Sequence, residues 1–277
     1  MNTPAWDNGS RPDQPPITVA GWARAVLRGL PIIFVIFGLL PFVILLRATG
    51  HSDHARRIVC FASRITLRIM GLRLRLSGTV APNTRVFVAN HSSWLDIFVL
   101  TAAQPMNFVS KAEVAGWPGI GLVARSTGTV FIARRRVEAI VHRDQLAARL
   151  ASGDRLMIFP EGTSTDGRRV LPFRPTLFAA LQGKAFEGYQ VQPVSVRYAA
   201  TAGRDSRLYG WWGDMDFAPH FLAILALEGH GSVQVRFGTP LSPADFADRK
   251  ALAAAAEAAV RGGFDALALG ETFRNCP

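Results

Sequence analysis

The chain has 277 residues, 49% of them hydrophobic and 18% charged, with a mean hydropathy of +0.19. That is long enough for one large domain with a buried core and greasier than an ordinary soluble protein, yet it lacks the repeated long apolar spans of a transporter. Lys and Arg total 31 against 20 Asp and Glu, a net charge of +11 that suits a polyanionic partner such as an anionic membrane surface, while two cysteines, Cys60 and Cys276, exclude a disulfide framework and fit a reducing compartment.

Residues 1–20 begin "MNTPAWDNGSRPDQPPI", a polar, proline-rich stretch that predicts a disordered leader and does not have the form of a signal peptide. Residues 21–71 are read as a membrane anchor followed by a basic amphipathic helix. From Leu30 to Leu46 the chain is uncharged, "LPIIFVIFGLLPFVILL", near the lower length limit for a spanning helix; Pro31 and Pro41 are expected to start it and bend it. Arg24 and Arg28 precede the segment and Arg47 follows it. Basic flanks on both sides fit a hairpin or re-entrant element that enters and leaves on the cytoplasmic face of the inner membrane. In "ARRIVCFASRITLRIMG", Arg57, Arg64 and Arg68 fall within roughly 40° on a helical wheel, opposite Ile58, Val59, Ile65, Ile69 and Met70.

From residue 72 to 277 short β-rich runs alternate with helical ones, which predicts a single α/β domain with a largely parallel central sheet flanked by helices. The strands are "LRLRLSG", "RVFVAN", "NFVSK", "GTVFIAR", "RLMIFP", "VQPVSVRY" and "SVQVRFGTP". Helices are expected over "SWLDIFVLTAA", over "VEAIVHRDQLAARLASG", near Pro175 to Gly183, and over an Ala-rich stretch entered by Pro243 and stopped by Gly262.

Open α/β sheets carry their chemistry at the carboxyl ends of strands. Successive strand ends here deliver His91 with Asp96, Lys111, Arg134, and Glu161 with "GTSTDG" behind it. An imidazole is the natural general base near neutral pH when a carboxylate fixes its tautomer, and a His at a strand end can meet an Asp one turn into the next helix. "GTSTDG" misses the G-x-S-x-G spacing and neither cysteine has a plausible histidine neighbour, so the base would act directly on a substrate hydroxyl. Lys111 and Arg134 would supply charge for an anionic headgroup, and the "EGTS" turn backbone N–H groups for anion binding. Other signals carry less. "GIGLVA" follows no strand, "HSDH" (His51, Asp53, His54) is a polar loop more readily than a metal site, and the "RRR" at 134–136 has no nucleic-acid motif around it. "WWGDM" fits an interfacial aromatic belt or a core corner equally.

"NHSSWLD" resembles the N-H-x-x-x-x-D motif of the glycerolipid acyltransferases, the lysophosphatidic acid acyltransferase family; "GTVFIAR", "FPEGTS" and "VQPVSV" are similar to that family's later blocks, in the same order over residues 90–196. The resemblance implies a membrane-bound enzyme in which His91, oriented by Asp96, deprotonates a lysolipid hydroxyl that attacks an acyl-CoA or acyl carrier protein thioester. It further implies acceptor contacts from Lys111, Arg134, Glu161, Gly162, Thr163 and Ser164, membrane lipids as partners, and no metal, cofactor or nucleic acid. Ser164 stands where the family usually carries Arg, which weakens a phosphate acceptor. With "WWGDMDFAPH" downstream it resembles the branch acting on lyso-ornithine lipid, placed slightly ahead of lysophosphatidic acid as acceptor. The competing reading is a lipid-binding membrane protein that kept the fold without the activity.

Overall fold

The computed structural model describes residues 6–12, 16–132, 139–181, 186, 188–269 and 273–275. Helix α1 (Val19–Ala48) runs out and α2 (Ser52–Met70) runs back against it, a helical hairpin with its turn at residues 49–51. The Thr18 hydroxyl caps α1 by accepting the Gly21 N–H at 3.1 Å. Pro31 does not start the helix, as its sequence position had led us to expect: Pro31 and Pro41 both lie inside a continuous helix of 30 residues, about 45 Å long. Each proline removes one backbone donor, and in this helix packing along α2 and the domain outweighs that loss.

The domain proper is an eight-stranded sheet in the order β4-β3-β5-β2-β6-β7-β1-β8. Its strands are β1 (Arg73–Ser77), β2 (Thr84–Ala89), β3 (Asn107–Lys111), β4 (Val130–Ile132), β5 (Leu156–Ile158), β6 (Gln190–Ala199), β7 (Ser232–Phe237) and β8 (Arg274–Asn275). Strands β4, β3, β5, β2 and β6 run parallel; β7 is antiparallel to β6, and β1 is parallel to β7. The expected α/β class and largely parallel sheet are therefore what the chain forms. Period-two alternation builds both faces: Phe87 and Ala89 of β2 join the core under α1, α2 and α3 (Leu95–Ala103), while Val86 and Val88 join the core on the opposite face. That second core also takes side chains from α5 (Ala139–Ala151), α6 (Pro175–Phe178) and α8 (Arg249–Ala268).

Two further expectations need correction. The Ala-rich helix starts after Asp248, whose carboxylate caps the N–H groups of Lys250 and Ala251, and runs through Gly262 and Gly263 to Ala268. Gly263 lies inside it because α8 crosses β6 closely there: a Cβ would sit 2.4 Å from Ser195 Oγ. Residues 6–12 of the supposed leader are also placed. The Trp6 N–H donates to Thr163 Oγ1 at 3.3 Å, Arg169 lies over the Trp6 ring at 5.0 Å, and the Arg207 guanidinium donates to Ser10 Oγ at 2.9 Å.

The hairpin is pinned to the domain near both ends of α1. Arg24 donates to Ala226 O at 2.9 Å and Arg28 to Leu225 O at 2.8 Å, at the end of α7 (Phe217–Ala226), a helix we had not anticipated. At the other end the Arg47 guanidinium lies against Gly128, just past α4 (Ile120–Thr127). Arg56 of α2, 5% exposed, pairs with Asp53 and with the buried Asp154, which also binds Arg149 of α5. Of the arginines expected on one outward stripe, Arg57 and Arg68 are exposed, while Arg64 is half-buried and donates to Ala102 O at 2.9 Å. Only 22% of the most apolar stretch of α1 is buried, leaving Leu27, Leu30, Phe34, Phe42 and Leu45 exposed along its outer face. It is the one helix among the described residues long and apolar enough to cross a membrane.

Candidate active site

The loop after β2 is short, and Asn90 fixes it. Its buried side-chain amide donates to Val196 O at 2.9 Å and accepts the Val196 N–H at 2.8 Å, clamping the end of β2 to β6. His91 comes next, and Asp96 sits in the first turn of α3, fully buried. His91 Nδ1 lies 2.8 Å from Asp96 Oδ2, which also accepts the backbone N–H groups of Ser92 at 2.7 Å and Ser93 at 3.0 Å. Asp96 Oδ1 accepts the Tyr198 hydroxyl at 2.6 Å. A carboxylate held by so many donors is the acceptor toward the imidazole, so Nδ1 carries the proton and Nε2 keeps its lone pair. The His91 side chain stays one-fifth exposed, and its ring stacks on Phe159 at 4.0 Å and 17°, with Phe108 stacked behind at 6.0 Å. The result is an imidazole with one nitrogen committed to a buried carboxylate and its ring set against an apolar wall.

Glu161 follows β5 and is 2% exposed. Its Oε1 accepts the Leu171 N–H at 3.2 Å, and Oε2 is buried with no hydrogen-bond partner among the described residues. Burial holds its carboxyl well above the usual range, with the backbone N–H groups of Leu171 and His91 offsetting only part of that. The folded protein thus favours the protonated acid. Its contribution to stability is present in full below the ordinary Glu range and is lost as pH rises through the raised value. Glu161→Gln is therefore expected to flatten the fall in thermal midpoint between mildly acidic and mildly alkaline buffer; an unchanged fall would show that Glu161 does not ionise at this cost.

The rest of the "EGTST" turn is tied to the histidine loop: Thr165 donates to His91 O from its N–H at 3.0 Å and its hydroxyl at 3.3 Å, and the Trp211 N–H donates to Ser92 O at 2.8 Å. Gly162 has φ +69°, and a Cβ there would also press on the Arg174 guanidinium, about 3.0 Å away, which donates to Glu161 O at 3.1 Å. Thr163 and Ser164 continue this turn, Thr163 half-buried and Ser164 9% exposed. Lys111 ends β3 at the same carboxyl edge with its side chain exposed. Arg134 lies outside the described residues, as does Cys276.

The structure therefore gathers His91, Asp96, Glu161 and Gly162, and leaves Lys111 on the rim. It adds Asn90, Phe159 and Thr165, which lie inside the quoted motifs but had been given no role, and Arg174 and Tyr198, which lie outside them. The "WWGDM" block is a core corner: Trp212 is 1% exposed, and downstream His220 accepts the Trp94 Nε1–H at 2.9 Å. Burial pushes His220 down to about 4, so it is neutral and holds the tryptophan of "NHSSWLD". Among the described residues no three His, Cys, Asp or Glu side chains are grouped as metal ligands, and Asp53 of "HSDH" is taken by Arg56.

Comparison with known proteins adds to this geometry. A family model described as Acyltransferase matches residues 73–197. The chain is 44% identical over 270 residues to a lyso-ornithine lipid O-acyltransferase of Rhodobacter capsulatus, covering 95% of this chain and 98% of the relative. It is 39% identical over 226 residues to a lyso-ornithine lipid O-acyltransferase of Brucella abortus, covering 78% and 84%. The crystal structure of the 1-acyl-sn-glycerophosphate acyltransferase of Thermotoga maritima superposes with a TM-score of 0.67 at 19% identity, over 92% of this chain and 98% of that one, which establishes a shared fold.

Proposed function

The chain belongs to the acyltransferase family and acylates lysolipid; from that premise we propose that its acceptor is lyso-ornithine lipid and that His91 is the general base. The observation that carries the chemistry is the His91–Asp96 pair, with Nδ1 committed to a buried carboxylate and Nε2 left as acceptor. Nε2 takes the proton of the acceptor hydroxyl as its oxygen attacks the thioester carbonyl of acyl-CoA or acyl carrier protein. The tetrahedral intermediate then collapses, the C–S bond breaks, and the leaving thiolate takes up the proton held on His91. Neither a metal nor a cofactor enters this scheme.

Two features support an aminolipid over a phosphate-bearing acceptor. The two relatives that align with 95% and 78% of this chain, from Rhodobacter capsulatus and Brucella abortus, are named for lyso-ornithine lipid. Ser164 stands where a guanidinium would grip phosphate bidentately. Arg134, Lys111 and the turn from Glu161 to Ser164 line the acceptor site in this proposal.

We read the protein as membrane-bound through α1, on the cytoplasmic face of the inner membrane, where acyl thioesters are supplied. Because α1 is pinned to the domain at Arg24, Arg28 and Arg47, it lies along the molecule and presents one apolar face to the bilayer instead of leaving the domain to cross it. The test is the lipid profile of cells that make lyso-ornithine lipid but lack their own second acyltransferase. Expression of this chain is expected to produce the diacylated ornithine lipid, whereas a rise in phosphatidic acid alone would assign lysophosphatidic acid as acceptor.

A further inference from the structure

We propose that Tyr198 is a positioning residue for the base: its hydroxyl holds Oδ1 of Asp96 so that Oδ2 stays aligned on His91 Nδ1. This rests on the reading of His91 as general base. The two oxygens of Asp96 do different work. Oδ2 accepts from His91 Nδ1 and from the Ser92 and Ser93 N–H groups, whereas Oδ1 takes the Tyr198 hydroxyl at 2.6 Å. Asp96 is fully buried, so without that hydroxyl Oδ1 would face a site closed to water, and rotation of the carboxylate would pull Oδ2 off the imidazole.

Tyr198 is itself held from behind. It is 4% exposed on β6, and its ring stacks on Tyr209 at 5.4 Å and 26°; the Tyr209 hydroxyl accepts the Gly231 N–H at 2.9 Å. Burial first, and then the Asp96 charge, keep the phenol protonated well above its usual range, so it remains a donor wherever the enzyme works. Among the described residues, the titratable groups that face the pair are His91 and Glu161 around Asp96, and Tyr209 beside Tyr198. The register explains how a residue so far along the chain reaches this point. β6 lies beside β2 with Ala89 opposite Val194, so the last residues of β6 run past the histidine loop and up to the start of α3.

The test is Tyr198→Phe, which keeps the ring and its stacking. With Oδ1 released, the carboxylate turns and Oδ2 supports the imidazolium less well, so the acid limb of kcat/KM is expected to move to lower pH. We expect kcat to fall about tenfold to a hundredfold, with KM for both substrates little changed, the effect of losing one hydrogen bond to a charged group. Uniform replacement of tyrosine by 3-fluorotyrosine, with only three tyrosines in the chain, gives a second arm that preserves shape. Its hydroxyl is kept, so Oδ1 stays held and both kcat and the acid limb are expected to remain close to those of the unsubstituted protein. An unmoved limb in Tyr198→Phe, whatever happens to thermal stability, would leave Tyr198 a packing residue and overturn the proposal, as would a fluorotyrosine protein impaired as much as Tyr198→Phe. If His91→Ala keeps full turnover, the base assignment itself fails, and that outcome is separate.

Discussion

His91→Ala is expected to lower acyl transfer about 10²-fold to 10⁴-fold, the range that a positioned general base contributes, with KM for the lysolipid nearly unchanged. The fold should survive. The His91 side chain is partly exposed, and its loop is held by Asn90 on Val196, by Asp96 on the Ser92 and Ser93 N–H groups, and by Thr165 on the His91 carbonyl, none of which needs the imidazole. Asp96→Asn should cost less in packing but still impair the base, because an amide can present an N–H toward Nδ1 and favour the wrong tautomer. Thiol release from the acyl thioester, measured beside the thermal midpoint, checks both. A folded His91→Ala protein with undiminished release would end the general-base reading.

Asp154→Ala is expected to be the most damaging single change to the fold away from the catalytic loop. Asp154 is 3% exposed and binds Arg56 of α2 and Arg149 of α5, so its removal leaves a buried guanidinium on the N-terminal hairpin with, among the described residues, Asp53 at the rim as its remaining carboxylate. Breaking a buried pair by deleting one partner costs about 3–5 kcal/mol, a large share of the roughly 5–15 kcal/mol that holds a domain together. Replacing the two most buried members with apolar residues, Arg56→Met with Asp154→Leu, should recover part of that, since the one charge left without its partner, Arg149, is about a quarter exposed. Urea denaturation in detergent checks both. A loss below about 1 kcal/mol for Asp154→Ala would place the pair in the class of exposed ion pairs.

Much of this architecture was legible because it depends on local pattern. The short apolar run in "RVFVAN" marked β2 as a buried strand, and a histidine at its end with an aspartate five residues on could be drawn together on paper. What escaped depends on distant neighbours. Tyr198 reaches Asp96 only because β6 pairs with β2, a register that no local window contains. Pro31 looked like a helix start because proline usually is one, yet Thr18 already caps the helix and α2 supports it from the side. Gly262 and Gly263 looked like a stop, but Gly263 admits Ser195. The segment "FAPHFLAILA" is apolar apart from His220, so it has no polar face to reveal α7. Trp6 is held by Arg169, 163 positions along the chain, so leader composition alone could not foresee it.

The central claim is tested most directly with one purified preparation in mixed micelles, offered lyso-ornithine lipid and lysophosphatidic acid in turn with the same acyl thioester. A preference in kcat/KM of at least about tenfold, close to 1.4 kcal/mol in transition-state binding, is predicted for lyso-ornithine lipid. An equal or reversed preference would contradict the assignment of Ser164 and its neighbours to an acceptor without phosphate.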